Sequence, residues 1–213
     1  MTTLVIVRHG QSVSNLNKTF TGQWDVPLTE LGKTQAERTA KLLEAYPISV
    51  IYSSDLLRAM QTAEPTARQK GLEIIPDARL REIHGGDWEG KNGKLIEQLY
   101  PESHRVWKTD IANSRPDGGE SFSEVYARAN EILEEIVERH RGECVAVFSH
   151  ALTIRTMASK WYGISGSSDE LPWMTNASVA VVEYDDENKP HVKMYSYDKH
   201  QGELSTALAK GLS

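Results

Sequence analysis

Six short apolar runs punctuate the chain, at positions 4–7, 49–54, 72–75, 143–149, 179–184 and 192–197. Their lengths and their content of β-branched residues predict β-strands. The first run has no polar residue in alternation, which is typical of a strand buried on both faces. The last two runs, joined by a polar bridge, are expected to form an antiparallel hairpin at the edge of a sheet.

Stretches with helical spacing of apolar residues lie between these runs. They predict a helix capped by Thr29, a helix that carries Arg58, a long helix over 121–141 and a helix that begins at Ala151. Alternation of strands and helices indicates an α/β fold, a three-layer α/β/α sandwich with a mostly parallel central sheet and helices on both faces. One domain is expected over 1–213, with a polar loop at 11–28.

The segment 85–120 interrupts the alternation. It is rich in glycine and carries Trp88, Tyr100 and Trp107. We predict that it is an insertion packed as a lid over the carboxyl end of the sheet, where it would form part of a pocket wall. The last dozen residues are expected to form a short helix or a frayed tail.

Composition narrows the class of protein. A net charge of −6 over 213 residues argues against a general nucleic-acid surface. The single cysteine, Cys144, rules out a disulfide within the chain, so we predict a cytoplasmic protein in which Cys144 is a core residue. No apolar run approaches the roughly 18 residues of a membrane span, and no signal peptide is recognisable, so no membrane partner is expected.

Charged side chains follow several of the predicted strands. Arg8 and His9 come directly after the first strand, and His150 follows the fourth. Arg58 and Glu82 lie within a few residues of the second and third strands. Because the carboxyl ends of parallel strands meet in one crevice, these side chains are expected to share a site. Clustered cations are costly to bury without an anion, and a phosphoryl group would supply one.

Motifs around these residues occur in a fixed order over nearly all of residues 4–160. They are Arg8-His9-Gly10-Gln11-Ser12 with Asn15, Phe20-Thr21-Gly22, Pro27-Leu28-Thr29 with Gly32, Tyr52-Ser53-Ser54-Asp55-Leu56 with Arg58, Leu80-Arg81-Glu82-Ile83 with Gly86 and Trp88-Glu89-Gly90, Gly118-Gly119-Glu120-Ser121, and Ser149-His150 with Ile154-Arg155. In these motifs the chain resembles the histidine phosphatase superfamily, which includes cofactor-dependent phosphoglycerate mutase and broad-specificity phosphatases.

The resemblance implies phosphoryl transfer through a phosphohistidine. His9 would be the nucleophile, with one ring nitrogen held by a backbone acceptor so that the other presents its lone pair. Arg8 and Arg58 would hold phosphoryl oxygens, and His150, cationic once phosphate is bound, would add a third donor. Glu82 would protonate the leaving alcohol and then activate water.

Binding roles follow from the same resemblance. The backbone N–H groups of Ala151 and Leu152 lie at a helix start, where an anion is favoured. Asn15 would bond a phosphoryl oxygen, and Thr21 with Gly22 would border the leaving group. No metal and no cofactor is called for, since the arginines occupy the place a cation would take. The partner expected is therefore a small phosphorylated metabolite.

Alternatives remain for two assignments. Glu89 is close to Glu82 in sequence, although its place between Trp88 and Gly90 suits a structural hydrogen bond. His84 could face the pocket or be structural. The other histidines are expected at the surface: His104, His140, His191 and His200.

The reaction itself also has alternatives. We favour a phosphomonoester hydrolase, because the stretch after Gly90 contains no Arg-Arg pair to hold a substrate carboxylate and offers apolar residues for a pocket wall. Those residues are Trp88, Leu95, Ile96, Leu99, Tyr100 and Trp107. A cofactor-dependent phosphoglycerate mutase is the main alternative, and a non-catalytic phospho-ligand binder is a third. A homodimer through apolar residues of the edge strands is a further expectation.

Overall fold

The computed structural model describes residues 1–206, which form a central six-stranded sheet flanked by helices. The order of the strands across the sheet is β3-β2-β4-β1-β5-β6. The strands are β1 (Thr2–Arg8), β2 (Ile48–Ser53), β3 (Ile74–Pro76), β4 (Cys144–Ser149), β5 (Val179–Tyr184) and β6 (Pro190–Tyr197).

The helices pack on both faces of this sheet. Along β1, Leu4 and Ile6 point to one face and Val5 and Val7 to the other, because successive side chains of a strand alternate. The first face is covered by α6 (Phe122–Arg139) and α7 (Ala151–Tyr162), and the second by α2 (Glu30–Leu43) and α3 (Leu57–Lys70). All four side chains are fully buried. The predicted three-layer α/β/α architecture is confirmed.

Strand direction decides where the functional residues meet. Strands β1, β2, β3 and β4 pair in parallel, while β5 runs antiparallel to both β1 and β6. The predicted edge hairpin is therefore confirmed, and the sheet is mostly parallel. Arg8, Ser53 and Ser149 are the last residues of three adjacent strands, so the segments that follow them begin side by side.

Two stretches differ from the sequence-based prediction. The expected polar loop at 11–28 contains a short helix, α1 (Val13–Asn17), whose N-cap Ser12 forms a capping box with Asn15. Strand β3 begins two residues later than expected, at Ile74. A five-residue helix is too short for apolar periodicity to reveal, and its capping residue at the third position is Asn rather than the usual Glu or Gln.

The segment 85–120 is largely helical. It contains α4 (Gly93–Leu99), α5 (Pro101–Thr109) and two short 3₁₀ turns, Gly86–Trp88 and Ile111–Asn113. Its apolar side chains form one cluster with Phe20, Phe122 and Leu152, which places the segment beside the carboxyl end of the sheet. That it moves as a lid stays a prediction.

The last described residues lie near α2. A 3₁₀ helix at Lys199–Leu204 packs near α2, where Gln201 donates to the carbonyl of Gln35. Of the expected short helix or tail over the last dozen residues, positions 207–213 lie outside the described residues. None of the helices within residues 1–206 is long and apolar enough to cross a membrane.

A close backbone approach fixes the segment after β1 against α2. A Cβ atom on Gly32 would lie 2.1 Å from the carbonyl oxygen of Gln11, and one on Gly10 would lie 2.6 Å from the carbonyl oxygen of Gly32. Nearby, the backbone N–H of Gln11 donates to Gln35 at 2.8 Å, and that of Gly10 donates to Thr62 at 3.0 Å. The absence of a side chain at position 32 lets α2 support the residues next to His9.

We expect Gly32→Ala to lower the free energy of unfolding by about 1–3 kcal/mol, because the new methyl group would overlap the Gln11 carbonyl. Helix propensity alone predicts the opposite sign, a gain of roughly 0.5–1 kcal/mol. Urea unfolding measures the difference. Lys33→Ala, at an exposed neighbouring position, is the control and should change stability by no more than about 0.5 kcal/mol. A more stable Gly32→Ala protein would contradict the close approach.

Candidate active site

The imidazole of His9 is held by the backbone immediately after it. The residue is 4% exposed, and its Nδ1 atom lies 2.7 Å from the carbonyl oxygen of Gly10. A carbonyl oxygen can only accept, so Nδ1 carries the proton and Nε2 keeps its lone pair in the neutral ring. Burial, reinforced by Arg58 and then Arg8, holds the pKa of His9 well below its ordinary value. The ring is therefore neutral, and its Nε2 atom keeps a lone pair.

Arg8 and Arg58 bring two buried guanidinium groups to the same pocket. They are 2% and 1% exposed. Arg8 Nη1 donates to the carbonyl of Met174 at 2.5 Å, and Arg58 Nη2 donates to the carbonyl of Gly22 at 2.8 Å. Burial lowers the pKa of each to about 10, so both remain charged at neutral pH. Within residues 1–206, the Nε atoms of both are buried without a hydrogen-bond partner.

His150 lies behind the His9 ring. The two ring centroids are 5.1 Å apart, and His150 Nε2 is 2.8 Å from the hydroxyl of Ser54. Burial lowers the pKa of His150 well below its ordinary value, and Arg58 and His9 lower it further. His150 Nδ1 also has no partner among the described residues. Four buried basic groups with three unpartnered atoms make this an anion-binding arrangement.

Glu82 lies at the N-terminus of α7. Its Oε2 accepts from the backbone N–H of Leu152 at 3.3 Å, and its Oε1 accepts from the backbone N–H groups of Ile83 at 3.0 Å and Thr153 at 3.3 Å. From the sequence we expected the backbone N–H of Leu152 to donate to phosphate. In the structure it donates to the Glu82 carboxylate instead. Helix N-termini favour any nearby anion, and Glu82 is the anion present. Ala151 and Leu152 both line the pocket, as expected.

Asn15 is oriented by two donors to its side-chain oxygen. The Asn15 Oδ1 atom accepts from the backbone N–H of Ser12 at 3.1 Å and from Asn176 Nδ2 at 3.0 Å. With the oxygen held in this way, the amide nitrogen is the atom left to donate. Asn15, Thr21 and Gly22 all line the same pocket as His9. The structure thus brings nine of the ten predicted residues to the pocket wall and places His150 directly behind it.

The pocket is small and has an apolar outer wall. Its volume is about 100 Å³, below the roughly 300 Å³ at which pockets for drug-sized ligands begin. Its apolar lining residues are Phe20, Ile83, Trp107, Leu152 and Trp173. A phosphoryl group with a small part of its ester fits this space, so a larger alcohol must extend outward.

The predicted composition of that wall is largely wrong. Among the six aromatic and aliphatic residues expected there, only Trp107 lines the described pocket. Trp88 and Ile96 are each 1% exposed and lie in the core of segment 85–120, whereas Leu95 and Leu99 are exposed at the surface. Both helices of the segment are amphipathic, so spacing alone could not tell the pocket side from the core side.

Two positioning residues and one residue of the pocket wall escaped the sequence prediction. Asn176, 3% exposed, donates to the carbonyl of His9 at 3.2 Å as well as to Asn15. Arg128 donates to the carbonyls of Arg81 at 2.6 Å and Glu82 at 3.0 Å, which fixes the backbone that carries the Glu82 side chain. Trp173 comes from the long connection before β5. Of the three, only Asn176 could have been found from the sequence, because it is a polar residue just before the apolar run of β5.

The alternatives for the acid and the other histidines are separated by their contacts. Glu89 Oε1 accepts from the backbone N–H groups of Gln23 at 2.7 Å and Gly85 at 2.9 Å, and Glu89 does not line the pocket. His84 is exposed. His104 was expected at the surface but is 5% exposed, packed with its ring centroid 6.0 Å from that of Trp88. Within residues 1–206, no group of three or more metal-ligating side chains is assembled.

The comparison with known families agrees with this geometry. The model of the histidine phosphatase superfamily (branch 1) matches residues 4–197. The chain belongs to this superfamily, so the predicted family and its histidine-type phosphatase class are confirmed. A superfamily member that resembles it throughout is phosphoserine phosphatase 1 of Hydrogenobacter thermophilus, 34% identical over 212 residues, with 100% of each chain covered.

Two other relatives show how widely the fold is shared. Phosphoglycerate mutase-like protein 4 of Arabidopsis thaliana is 33% identical over 202 residues, covering 92% of this chain and 86% of its own. The solved structure of Bacillus stearothermophilus YhfR has a TM-score of 0.88 at 36% identity, covering 94% of this chain and 99% of that one. The predicted fold is confirmed by this structural match.

We expect the free energy of unfolding to fall as the pH is lowered, because of His9 and His150. Their pKa values are depressed in the folded chain and near 6.5 when unfolded, so the unfolded state binds more protons as the pH falls below that value. In phosphate-free buffer, lowering the pH from 7.5 to 5.5 should cost on the order of 1 kcal/mol of unfolding free energy for each. Denaturant titrations at several pH values measure this. His150→Gln should reduce the slope, and an identical slope would contradict the assignment.

Proposed function

We propose that the protein is a phosphomonoester hydrolase that acts on small phosphorylated metabolites through a phosphohistidine on His9. The observation that carries the proposal is the set of buried nitrogen atoms without partners among the described residues: Nε of Arg8, Nε of Arg58 and Nδ1 of His150. Unpaired buried polar groups and repelling cations are both costly. A phosphoryl dianion supplies acceptors and opposite charge together, which favours this ligand class over a neutral one.

The first chemical step uses the neutral His9 ring. Its Nε2 lone pair attacks phosphorus, a P–N bond forms, and the P–O bond to the alcohol breaks. Arg8 and Arg58 neutralise the phosphoryl oxygens throughout without changing protonation state. Glu82, protonated beside the phosphoryl group, gives its proton to the departing alkoxide so that a neutral alcohol leaves.

The second step returns the enzyme to its starting state. Glu82, now a carboxylate, takes a proton from water, whose oxygen attacks phosphorus as the P–N bond breaks. Inorganic phosphate and the neutral His9 ring are the products. The nearby dianion favours the protonated form of His150, which then donates to the phosphoryl oxygens. The backbone N–H of Ala151 is a further donor.

Hydrolysis is better supported than mutase activity. A mutase must retain its substrate through a second group, commonly a carboxylate that needs cations of its own. Among the described pocket residues, the arginines are Arg8 and Arg58, both assigned to the phosphoryl group, and no lysine lines the pocket. The outer wall is formed instead by Phe20, Trp107 and Trp173. Such a wall lets an alcohol leave and be replaced by water.

The proposal also covers the cellular location and the oligomeric state of the protein. A cytoplasmic location is supported by Cys144, a buried free thiol in a chain that cannot form an internal disulfide. A homodimer stays a prediction, for which the exposed Ile75 on edge strand β3 is the supporting feature.

A panel of phosphomonoesters, with interconversion of 3- and 2-phosphoglycerate run alongside, tests the reaction. Wild-type protein should release inorganic phosphate from several esters and form an acid-labile phosphoenzyme. His9→Ala should abolish both while leaving the fold intact, because the variant lacks the Nε2 atom that would form the P–N bond in the described pocket. Phosphoglycerate interconversion faster than every hydrolysis would favour the mutase. Phosphate binding without turnover would favour a non-catalytic binder.

Glu82→Gln and Glu89→Gln form a matched pair for the acid. Glu82→Gln should lower kcat by roughly 10²–10⁴-fold and trap the phosphohistidine, since the amide can neither give the proton nor activate water. Glu89→Gln keeps an oxygen that accepts from Gln23 and Gly85, so its kcat should stay within about tenfold of wild type. Rapid-quench measurement of the phosphoenzyme separates the two steps. Wild-type turnover in Glu82→Gln would mean that another residue is the proton donor.

A further inference from the structure

A second cavity shares part of its wall with the pocket that contains His9. It has a volume of about 320 Å³, and two tryptophans, Trp107 and Trp173, line both it and the pocket that contains His9. The other walls come from the end of α5, from Arg155 of α7 and from the connection that precedes β5. Trp107 and Trp173 are therefore the boundary that the two spaces share.

Both indole rings are fixed before any ligand arrives. Trp107 is 7% exposed, and its ring makes edge-to-face contacts with Phe20 at 5.3 Å and Trp88 at 5.6 Å between centroids. The guanidinium carbon of Arg155 lies 4.6 Å from the centroid of Trp173. Fixed rings lose little conformational entropy when a ligand packs against them.

Arg155 is itself immobilised. It is 5% exposed and donates to three backbone carbonyls of the connection before β5: Nε to Gly166 at 2.6 Å, Nη2 to Ser168 at 3.0 Å, and Nη1 to Leu171. All three nitrogens are thus engaged with the loop that carries Trp173. Its role at the cavity is to hold that loop and to cover one face of the Trp173 ring, so the rest of the ring is the surface that a ligand could contact.

The spacing between the two tryptophans is held by a separate contact. Ser167 Oγ accepts from the backbone N–H of Ala112 at 3.0 Å and donates to Asp110 Oδ1 at 2.8 Å. Residues 110–112 directly follow the helix of Trp107, and Ser167 lies in the loop of Trp173. The two walls are therefore joined across the cavity.

We propose that this outer cavity, bounded by Trp107, Arg155, Ser167 and Trp173, is a leaving-group subsite that selects phosphomonoesters whose alcohol carries a planar apolar group. The inference rests on the proposed function and adds the substrate class to it. Indole rings favour flat apolar partners, and the volume lies within the range of pockets that enclose such groups. Lys108 and Asp169, which also line the cavity, are exposed and of opposite charge, so the apolar contact comes from Trp107 and Trp173 together with Ile111.

The test compares esters whose leaving alcohols have similar acidity. Wild-type kcat/KM for 2-phenylethyl phosphate should exceed that for ethyl phosphate by roughly 10–100-fold, because the phenyl ring would pack against the indole rings that line the outer cavity. In Trp173→Ala kcat/KM for 2-phenylethyl phosphate should fall about tenfold more than kcat/KM for ethyl phosphate, because only the phenyl ester loses the contact with the ring. Leu99→Ala, an exposed apolar position in the same 85–120 segment, is the control and should keep the wild-type ratio.

Binding of non-hydrolysable analogues separates the subsite from the reaction. Calorimetry with 3-phenylpropylphosphonate and propylphosphonate should give the same preference in wild type and the same loss in Trp173→Ala. Trp173→Phe keeps an aromatic ring and should retain part of the preference for the phenyl phosphonate. It replaces the alanine variant if that variant fails to fold. A preference for the phenyl phosphonate without hydrolysis of either ester would sink the proposed function and leave the subsite standing. A wild-type ratio near one, or an equal loss for both phosphonates in Trp173→Ala, would overturn the subsite.

Discussion

The structure depends on a concentration of buried positive charge that has too little negative charge around it. Arg8, Arg58, His9 and His150 are all at most 4% exposed, and burial depresses the pKa of every one. Glu82 lines the same pocket and carries the opposite charge. The histidines respond by staying neutral, and the arginines, which cannot easily lose a proton, remain charged. The fold therefore carries a site whose electrostatic cost a phosphoryl dianion would offset.

Such a site has to be held by groups that do not cancel its charge. Most of its supports are neutral: the carbonyls of Met174 and Gly22 accept from the arginines, and the carbonyl of Gly10 orients His9. Asn176, also neutral, ties the backbone of His9 to Asn15. A carboxylate in any of these places would pair with a cation and weaken its attraction for phosphate. Carbonyl and amide dipoles fix the geometry while leaving most of the charge available.

The sequence predicted the residues on strand ends better than those on loops, for a physical reason. Arg8 and His150 follow apolar runs in a parallel sheet, and the rule that such ends converge is enough to bring them together. Trp173 and Asn176 come from a connection with no periodicity, and their place depends on how Arg155 and β5 hold that loop. Trp88 shows the converse error, because an aromatic residue in a glycine-rich segment fits a pocket wall and a core equally well by pattern.

Glu82 illustrates what geometry adds to a motif. Its carboxylate accepts from the backbone N–H groups of Leu152 and Thr153 at the start of α7, and the first of these is a donor that sequence reasoning reserved for phosphate. Two anions cannot share those donors at low cost, because like charges at short distance repel in a buried site. Motif order alone could not assign these donors, because it places Glu82 and Leu152 in one site without saying which anion the N–H faces. Under the proposed function, the phosphoryl group would bind Arg8 and Arg58, while the Glu82 carboxyl group lies at the start of α7 on the wall of the same pocket.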